Sequence, residues 1–246
     1  MTRTVCIIPV LAIAMLTMTI IGCGGDDDNN NGGTGMSANI YYPLSVGRIW
    51  EFQDSSDMGI DTSTTEIVGI TEIDGRQSYI NIDEDENGQD TSYLQSRADG
   101  IYSLTRGTIW MRNMLSSVVK SMQSGFTEIK ILPATFAIGT NWEVISLDST
   151  WENAGIRYHA VWNAMGSVIS RENIVTPAGT FSNCVKIRMD HDMQITTIII
   201  AYADTYHYVS AEEYLLWLAP NVGPAKGQYM GADTTASVLI SYSTGG

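Results

Sequence analysis

Most of the chain alternates apolar and polar residues in short runs, the pattern of strands with one buried and one exposed face. Examples are 62–70, 78–83, 156–162 and 193–202, which Gly, Asn, Asp and Pro separate. One segment differs, because its apolar residues recur at the spacing of one helical face; they are Met111, Met114, Leu115, Val118, Val119 and Met122. The pattern predicts an all-β fold with minor α content and one amphipathic helix near 111–122.

The first 22 residues have the organisation of a secretory signal. Arg3 is their only charge, and a run without charges follows from Val5 to Ile21. A membrane-spanning helix is the alternative, but the run is at the short end for crossing a bilayer. The quartet Ile20-Ile21-Gly22-Cys23 resembles a bacterial lipobox and favours cleavage before Cys23, with lipid attached to that residue. More than one acyl chain would give a stable membrane anchor.

Residues 23–39 are predicted to be a lipidated, acidic and flexible tether. They are rich in Gly, Asn and Asp, and such a segment has too little apolar surface to fold. By resemblance to lipoproteins of enteric bacteria, Gly24 next to the lipidated cysteine favours the outer membrane. The periplasmic face is the preferred location, while the run Asp26–Asp28 keeps display on the cell surface open as an alternative. Residues 40–246 are expected to form a single β domain.

An internal echo predicts that one β unit occurs twice, at about 43–105 and 135–230. The segment 44–51 recurs as 136–143, with Gly, Trp and Glu in matching positions. Two weaker matches relate 73–80 to 177–184 and the pair 93–94 to 214–215. If each unit is a meander, both would contribute to one curved sheet. Trp50 and Trp142, at the starts of matching strands, are expected to be buried.

Composition excludes some classes of partner. The formal net charge is −14 at pH 7, and no basic cluster is present. Nucleic-acid binding is therefore not expected, since it needs Lys and Arg to replace phosphate counterions. For the same reason the covalent lipid should be the contact with the membrane. Cys184 is the only cysteine in the predicted domain, and its strand-like surroundings predict a buried, inert thiol.

The segment 83–90, with sequence DEDENGQD, is the closest approach to a metal motif. It matches a calcium loop at its first positions, but Leu94 stands where the bidentate Glu is required. The alternative is a β-hairpin, because Asn87-Gly88 is a strong turn signal between alternating runs. A hairpin is the preferred interpretation, with weak calcium binding left as the alternative.

No catalytic constellation stands out. On a strand, Asp190 and Asp192 would face away from His191, so the three side chains would not share one metal. His159 and His207 are also isolated on alternating runs. The sequence contains no nucleophile elbow, no phosphate-binding loop, no zinc-ligand spacing and no dinucleotide-binding fingerprint. We therefore predict a protein that is not an enzyme and has neither a metal site nor a cofactor.

Three groups of residues resemble the TapB-like family of bacterial secreted proteins and lipoproteins, whose function is largely unknown. They are Tyr41–Leu44 with Gly47 and Trp50, the segment Thr176–Phe181, and the segment Trp217–Lys226. The resemblance implies a curved antiparallel sheet or open half-barrel, similar to periplasmic lipoprotein-carrier folds, and it implies no catalytic residues. Asn221 stands where the family usually has Gly, and Asn tolerates the positive φ of such a turn.

These observations lead to one preferred function and two alternatives. The preferred one is a lipid-anchored envelope protein that acts as a carrier or accessory, binding an apolar small molecule or a partner protein of the envelope. The predicted helix 111–122 would supply an apolar ligand face or lid, or else a permanent part of the core. The alternatives are a structural interaction module without a ligand cavity and, less favoured, a hydrolase with scattered carboxylates.

Overall fold

The structure, a computed structural model, describes residues 35–56, 59–86, 88–105, 126–153, 155–200, 204–230 and 235–245. Within these residues the chain forms one short helix, α1, which covers Ala38–Tyr41. The same residues form fourteen strands: β1 (Met36–Ser37), β2 (Arg48–Ser56), β3 (Gly59–Ile73), β4 (Arg76–Asp85), β5 (Gly88–Arg97), β6 (Gly100–Thr105), β7 (Thr127–Pro133), β8 (Thr135–Phe136), β9 (Asn141–Asn153), β10 (Ile156–Thr176), β11 (Gly179–Ile199), β12 (Asp204–Ala219), β13 (Gly223–Tyr229) and β14 (Thr235–Thr244).

Twelve of these strands form one antiparallel sheet. Its order is β7-β6-β5-β4-β3-β2-β14-β13-β12-β11-β10-β9, and β1 pairs with β8 separately. The sheet therefore consists of two six-stranded meanders, which we call the first half (β2 to β7) and the second half (β9 to β14). The first strand of one half pairs with the last strand of the other, β2 with β14.

The sheet curves so far that its two edge strands approach each other. Trp142 on β9 donates a hydrogen bond from Nε1 to the carbonyl of Lys130 on β7, at 3.0 Å. Ile129 and Leu132 of β7 share a buried cluster with Trp142 and Ile145 of β9. We call the face that carries this cluster the inner face. The predicted all-β fold with a curved antiparallel sheet of open-barrel character is confirmed.

The two halves begin in the same way, at the segments of the strongest internal match. Gly47 has φ 81° and Gly139 has φ 89°, each in the turn before the first strand of its half. Gly47 donates its N–H to the carbonyl of Ile67, and Gly139 donates to that of Val168, both at 2.8 Å. A β-bulge follows each acceptor, at Ile67/Gly69 and Val168/Ser170.

The weaker matches are correct at the level of strands but not in register. The match of 73–80 with 177–184 falls on equivalent hairpins, β3–β4 and β10–β11. The match of 93–94 with 214–215 falls on equivalent strands, β5 and β12. However, the two ladders show a different register. Ser92 and Leu216 occupy the same position, because Ser92 pairs with Asn81 and Leu216 pairs with Ile187, the equivalent residue of the second half. Leu94, two residues after Ser92, therefore occupies the position of Leu218. The sequence alignment at this strand is therefore three residues out of register.

The tryptophans that open each half pack against glycines. The Trp50 ring lies over Gly223, where a Cβ would come within 3.1 Å of the ring, and the Trp50 side chain is fully buried. The Trp142 ring covers Gly166 still more closely. Both tryptophans are therefore structural, as predicted, and each requires the missing side chain opposite it.

The packed structure begins before residue 40, earlier than the predicted boundary of the tether. Met36 pairs with Phe136, and Ala38 donates its N–H to the carbonyl of Ala134 at 3.0 Å. Ala38 and Tyr41 of α1 are buried in the cluster that joins the two sheet edges. Met36 and Ala38 supply apolar surface that the Gly, Asn and Asp-rich residues before them lack. This short helix was not predicted.

Several predictions lie outside the described residues. These are the lipid attachment at Cys23, the signal peptide, and the amphipathic helix with its apolar face at Met111, Met114, Leu115, Val118, Val119 and Met122. Among the residues that are described, none belongs to a helix long and apolar enough to cross a membrane.

Candidate functional site

The inner face of the first half carries a layer of polar side chains. Strand alternation places them on the same face as the buried residues Trp50, Ile67 and Leu94. The layer runs across neighbouring strands and consists of Ser237, Asp54, Ser63, Thr65, Asp83, Asn81 and Ser92. We call these residues the polar layer.

Asn81 and Asp83 form the best-ordered part of the polar layer. Thr65 donates from Oγ1 to Oδ1 of Asp83 at 2.7 Å, and Asn81 donates from Nδ2 to the other carboxylate oxygen at 3.0 Å. The same Asn81 nitrogen lies 3.1 Å from Oγ of Ser92. Asn81 is only 4% exposed, yet its Oδ1 has no hydrogen-bond partner among the residues that the structure describes. A buried amide oxygen without a partner is unfavourable in a native fold.

Asp54 accepts hydrogen bonds from both neighbouring strands. Ser63 Oγ on β3 lies 2.5 Å from Oδ2 of Asp54, and Ser237 on β14 donates to Oδ1. The carboxylate is therefore fixed by its neighbours in the sheet. This arrangement holds negative charge at a defined place on the inner face.

Two tyrosines face these carboxylates. Burial raises the pKa of Tyr42, and the nearby charges of Asp83 and Tyr214 raise it further. Burial, followed by the charge of Asp54, raises the pKa of Tyr214 to about 12. Both phenols therefore stay protonated at neutral pH. The Tyr214 hydroxyl lies over Gly227, where a Cβ would come within 2.1 Å of it.

The inner face of the second half is apolar and aromatic. Trp162 and Ile195 are 4% and 3% exposed, and Met193 and Leu147 pack beside them in the cluster at the sheet edges. Near the end of the β9–β10 hairpin, Trp151 stacks on Tyr158 with ring centroids 5.0 Å apart and planes at 13°. Aromatic surfaces of this kind contribute strongly to packing and to binding.

His191 is a titratable group within this apolar wall whose pKa is shifted. Its ring stacks on that of Trp162, with centroids 6.0 Å apart, and Trp162 Nε1 lies 3.4 Å from Nδ1. Burial lowers the pKa of His191, while the carboxylates of Glu212, Asp190 and Asp192 act in the opposite direction. The imidazole is therefore held neutral at physiological pH.

The ladders show which positions of the two halves are equivalent. Ile67 and Val168 supply the carbonyl groups that accept from the glycine turns. Asn81 pairs with Ile67, and Ile187 pairs with Val168. Asn81 is therefore equivalent to Ile187, which is fully buried. By the same register Asp83 is equivalent to Met189, and the further pairs are Ser92 with Leu216, Asp90 with Tyr214, and Thr65 with Gly166. The fold accepts apolar residues at these positions, so it does not require the polar layer.

The segment 83–90 is part of a hairpin, as predicted. Asp83 pairs with Asp90 and Asp85 with Gly88, so these residues continue the β4–β5 ladder. Leu94, the twelfth position of the calcium pattern, is 2% exposed and packs in the core. The residues of the motif are thus extended along two strands instead of forming one loop. The role of Asp83 on the inner face was not predicted from the sequence.

The histidines and the cysteine are placed as expected. His159 contacts Asp148 on the exposed face at 2.9 Å, and His207 contacts Thr196 at 3.1 Å. Asp190 forms an ion pair with Arg188 at 3.1 Å, on the face opposite His191. Cys184 is fully buried, and burial raises the pKa of its thiol to about 11, so it is inert.

A cleft of about 580 Å³ is lined by residues of β4, β5, β6 and the turn between β5 and β6. Arg97 spans it, with a two-point ion pair to Glu128 at 2.7 and 2.8 Å and its guanidinium 4.2 Å from the centroid of the Tyr102 ring. Lys130 pairs with Asp99 at 2.9 Å. The charges of these side chains are therefore paired with one another, and the pairs form a structural ion-pair network beside the cleft.

The described part of the chain contains no cluster of three or more His, Cys, Asp or Glu side chains arranged to hold a metal. The inner face of the sheet has one polar and one apolar wall. Strand alternation predicted which residues share a face, but the sequence contains no signal for which strands meet.

Similarity to known proteins is confined to the fold. No family model matches the chain, and no curated protein matches it. A candidate lipoprotein from Parabacteroides distasonis has a similar structure, with a TM-score of 0.51 and 16% sequence identity over 83% of this chain and 98% of that one. A candidate exported protein with a YmcC-like fold, from Bacteroides fragilis, has a TM-score of 0.43 and 12% identity over 83% of this chain and 99% of that one. The chain therefore shares the β architecture of the first of these proteins.

Proposed function

We propose that this protein is a carrier or accessory protein of the bacterial cell envelope that binds an amphiphilic or apolar molecule on the inner face of its sheet. The observation that carries the proposal is the pairing of two walls within one curved sheet. The second half contributes Trp162, Met193 and Ile195, while the first half contributes Asn81 and Asp83. A molecule with an apolar chain and a polar end fits such a surface, since apolar pocket walls with a few oriented polar groups are typical of ligand sites.

We further propose that lipid on Cys23 anchors the protein to the outer membrane, with the domain on the periplasmic side. The quartet at residues 20–23 and Gly24 support this location. The similar structure from Parabacteroides distasonis is that of a candidate lipoprotein, which supports a lipid anchor. We also propose that the protein is related to the TapB-like family of secreted proteins, which it resembles in sequence. In this role the protein has no catalytic function.

The proposal can be tested by quenching tryptophan fluorescence with a brominated fatty acid. Trp162 lies on the inner face, whereas Trp217 lies on the opposite face, with the Nζ atoms of Lys186 and Lys226 each 4.7 Å from its ring centroid. We expect quenching that saturates with ligand, that falls in Trp162→Phe and that is unchanged in Trp217→Phe. Equal quenching in both variants, or no saturation, would overturn binding on the inner face.

The main alternative is a structural interaction module that binds no small molecule. Mass spectrometry of a solvent extract of the purified protein separates the two. The carrier role predicts a co-purifying amphiphile in a fixed molar ratio to the protein, and the interaction module predicts none. For the anchor, Cys23→Ala is expected to abolish incorporation of labelled palmitate and to release the protein from the membrane fraction.

A further inference from the structure

We propose that the N-terminal part of β12 binds an extended polypeptide segment that carries Lys or Arg and adds a strand to the sheet. The backbone groups involved belong to Thr205, His207, Val209 and Ala211, which we call the β12 edge. The site is separate from the inner face and does not depend on the carrier function. Three observations support it: the length of β12 that β13 does not reach, the exposure of the β12 edge, and the charges at its ends.

β13 pairs with only part of β12. On one side, β12 pairs with β11 without interruption from Asp204 to Leu218. On the other side, β13 ends at Tyr229, which pairs with Tyr214 of β12 and with Thr235 of β14. The ladder between β12 and β13 therefore stops at this level, and the N-terminal part of β12 extends beyond it.

One hydrogen bond shows where the backbone groups beyond this ladder point. Met230 donates its N–H to the carbonyl of Glu213 at 2.9 Å, so the N–H and C=O of Glu213 point away from β11. In an antiparallel sheet this direction reverses with each residue. The N–H and C=O groups of the β12 edge therefore also point away from β11, and no other described strand pairs with them. They extend over about 20 Å.

The β12 edge lacks the features that usually protect such an edge. All four of its residues are exposed, and Val209 is 69% exposed. Edges are commonly protected by Lys, by Pro or by a β-bulge. Residues 204–213 contain no Lys, Arg or Pro, and their ladder with β11 has no bulge. Tyr206, on the other face of the strand, is 58% exposed. Extended peptides add to edges of this kind by strand pairing.

The charges beside the β12 edge favour a basic partner. Asp204 lies at one end, and Glu212 and Glu213 lie at the other. No described Lys or Arg forms an ion pair with any of the three. Lys or Arg in the added strand would place opposite charges beside them. A second copy of the chain is disfavoured, because in the antiparallel register that pairs all four edge residues Asp204 of one copy lies opposite Glu212 of the other.

The test measures the fluorescence anisotropy of labelled peptides of about eight residues with the purified protein. The first peptide alternates Val and Thr and has Lys at both ends, and the second has Glu at both ends. The third is the Lys peptide with two adjacent central nitrogens methylated, which blocks both of its edges. We expect saturable binding of the Lys peptide and affinities at least about tenfold lower for the other two. No binding of the Lys peptide, or equal binding of all three, would overturn the proposal.

Val209→Pro tests the site on the protein. Proline removes an N–H that points away from β11 and leaves the ladder with β11 intact, so the fold should tolerate it. We expect the affinity for the Lys peptide to fall at least about tenfold. Val209→Thr is the matched control, because it keeps the N–H, and its affinity should stay within about twofold. If Val209→Pro lowers the melting temperature, the methylated peptide provides the same test on the native chain.

The charge preference has its own pair of variants. Asp204→Asn combined with Glu212→Gln should reduce the preference for the Lys peptide over the Glu peptide at least about threefold. Glu72→Gln combined with Glu84→Gln is the control, since both residues are exposed in the first half and the net charge changes equally. The control should keep the preference. An equal loss in both proteins would show that net charge is responsible and that the site is wrong.

Amide hydrogen exchange examines the β12 edge directly. In the protein without peptide, the amides of Thr205, His207, Val209 and Ala211 should exchange fast, and the Lys peptide should protect them. Slow exchange without peptide would show that the edge is already paired and would overturn the proposal. A dimer in sedimentation that Val209→Pro dissociates would identify a second copy as the occupant, with the same consequence. Quenching by the brominated fatty acid should be unchanged in Val209→Pro, which separates this site from the carrier function.

Discussion

The two halves of this sheet have the same architecture and opposite chemistry on their inner faces. Each begins with a glycine turn, a packed tryptophan and a bulge one strand away. The second half fills its inner face with Ile187, Met189 and Leu216, whereas the first half places Asn81, Asp83 and Ser92 at the same positions. The backbone therefore accepts either set of side chains, and the carrier function proposed above would account for the difference between them.

Exchanging the residues at the first of these positions should give the largest effect. Ile187→Asn puts an amide without partners into a fully buried apolar site, and we expect a loss of about 3–5 kcal/mol in the free energy of unfolding. Asn81→Leu removes an unpartnered oxygen together with the Nδ2 contacts to Asp83 and Ser92, and it should cost less, about 1–2 kcal/mol. Denaturant unfolding measures both. Similar costs for the two substitutions would contradict the distinction between the walls.

Gly227→Ala tests how the second half accommodates Tyr214, which stands where the first half has Asp90. A Cβ on Gly227 would lie 2.1 Å from the Tyr214 hydroxyl, so the phenol must move, at an expected cost of about 1–3 kcal/mol. Tyr214→Phe removes the closest atom and should reduce the cost of Gly227→Ala. A double-mutant cycle measures this coupling, and strict additivity would contradict the predicted contact.

The glycines that open the two halves should respond alike. Gly47→Ala and Gly139→Ala each force a side chain into the left-handed region, at φ 81° and 89°, and should cost about 1–2 kcal/mol. Gly69→Ala is the control, because that glycine is not at positive φ and its Cβ would make only ordinary contact, 3.7 Å from Ile80. A large cost at one turn and none at the other would argue against structural equivalence.

Acidification should act through the second half, where His191 is buried. The folded protein holds the pKa of His191 below its usual 6.5, so the unfolded chain binds this proton more readily. Stability contributed by neutral His191 is present above pH 6.5 and is lost as the pH falls below it. His191→Gln should therefore show a smaller decrease in melting temperature between neutral and mildly acidic pH. A difference between the two proteins that does not change with pH would contradict this assignment.

Ion pairs on the outer surface should give the smallest difference in stability between the halves. Arg157 and Glu152 in the second half are each 52% exposed, so Arg157→Ala should change the free energy of unfolding by no more than about 0.5 kcal/mol. Arg97 in the first half is 14% exposed and binds Glu128 at two points over the Tyr102 ring. Arg97→Ala should cost more, and equal costs would show that geometry adds nothing here.

The sequence by itself determined the class of fold, the strands and several of the turns between them. Period-two alternation identified the strands, because successive side chains on a strand point to opposite faces. The repeated Gly and Trp at 47 and 50, and at 139 and 142, predicted a repeated β unit, and in the structure both glycines have positive φ and both tryptophans lie over a glycine. The turn at Asn221, with φ 63°, was also predicted, and so was the burial of Cys184.

Only the tertiary structure decided which distant strands meet and therefore where the candidate site lies. Asp54 and Tyr214 are far apart in the sequence, and they become neighbours because β14 joins β2 and the sheet curves. The hairpin 83–90 was correctly predicted, but local pattern does not state which face of it becomes the interior of a curved sheet. Register has the same origin: ladder hydrogen bonds and bulges fix it, which is why the sequence alignment of β5 with β12 was displaced by three residues.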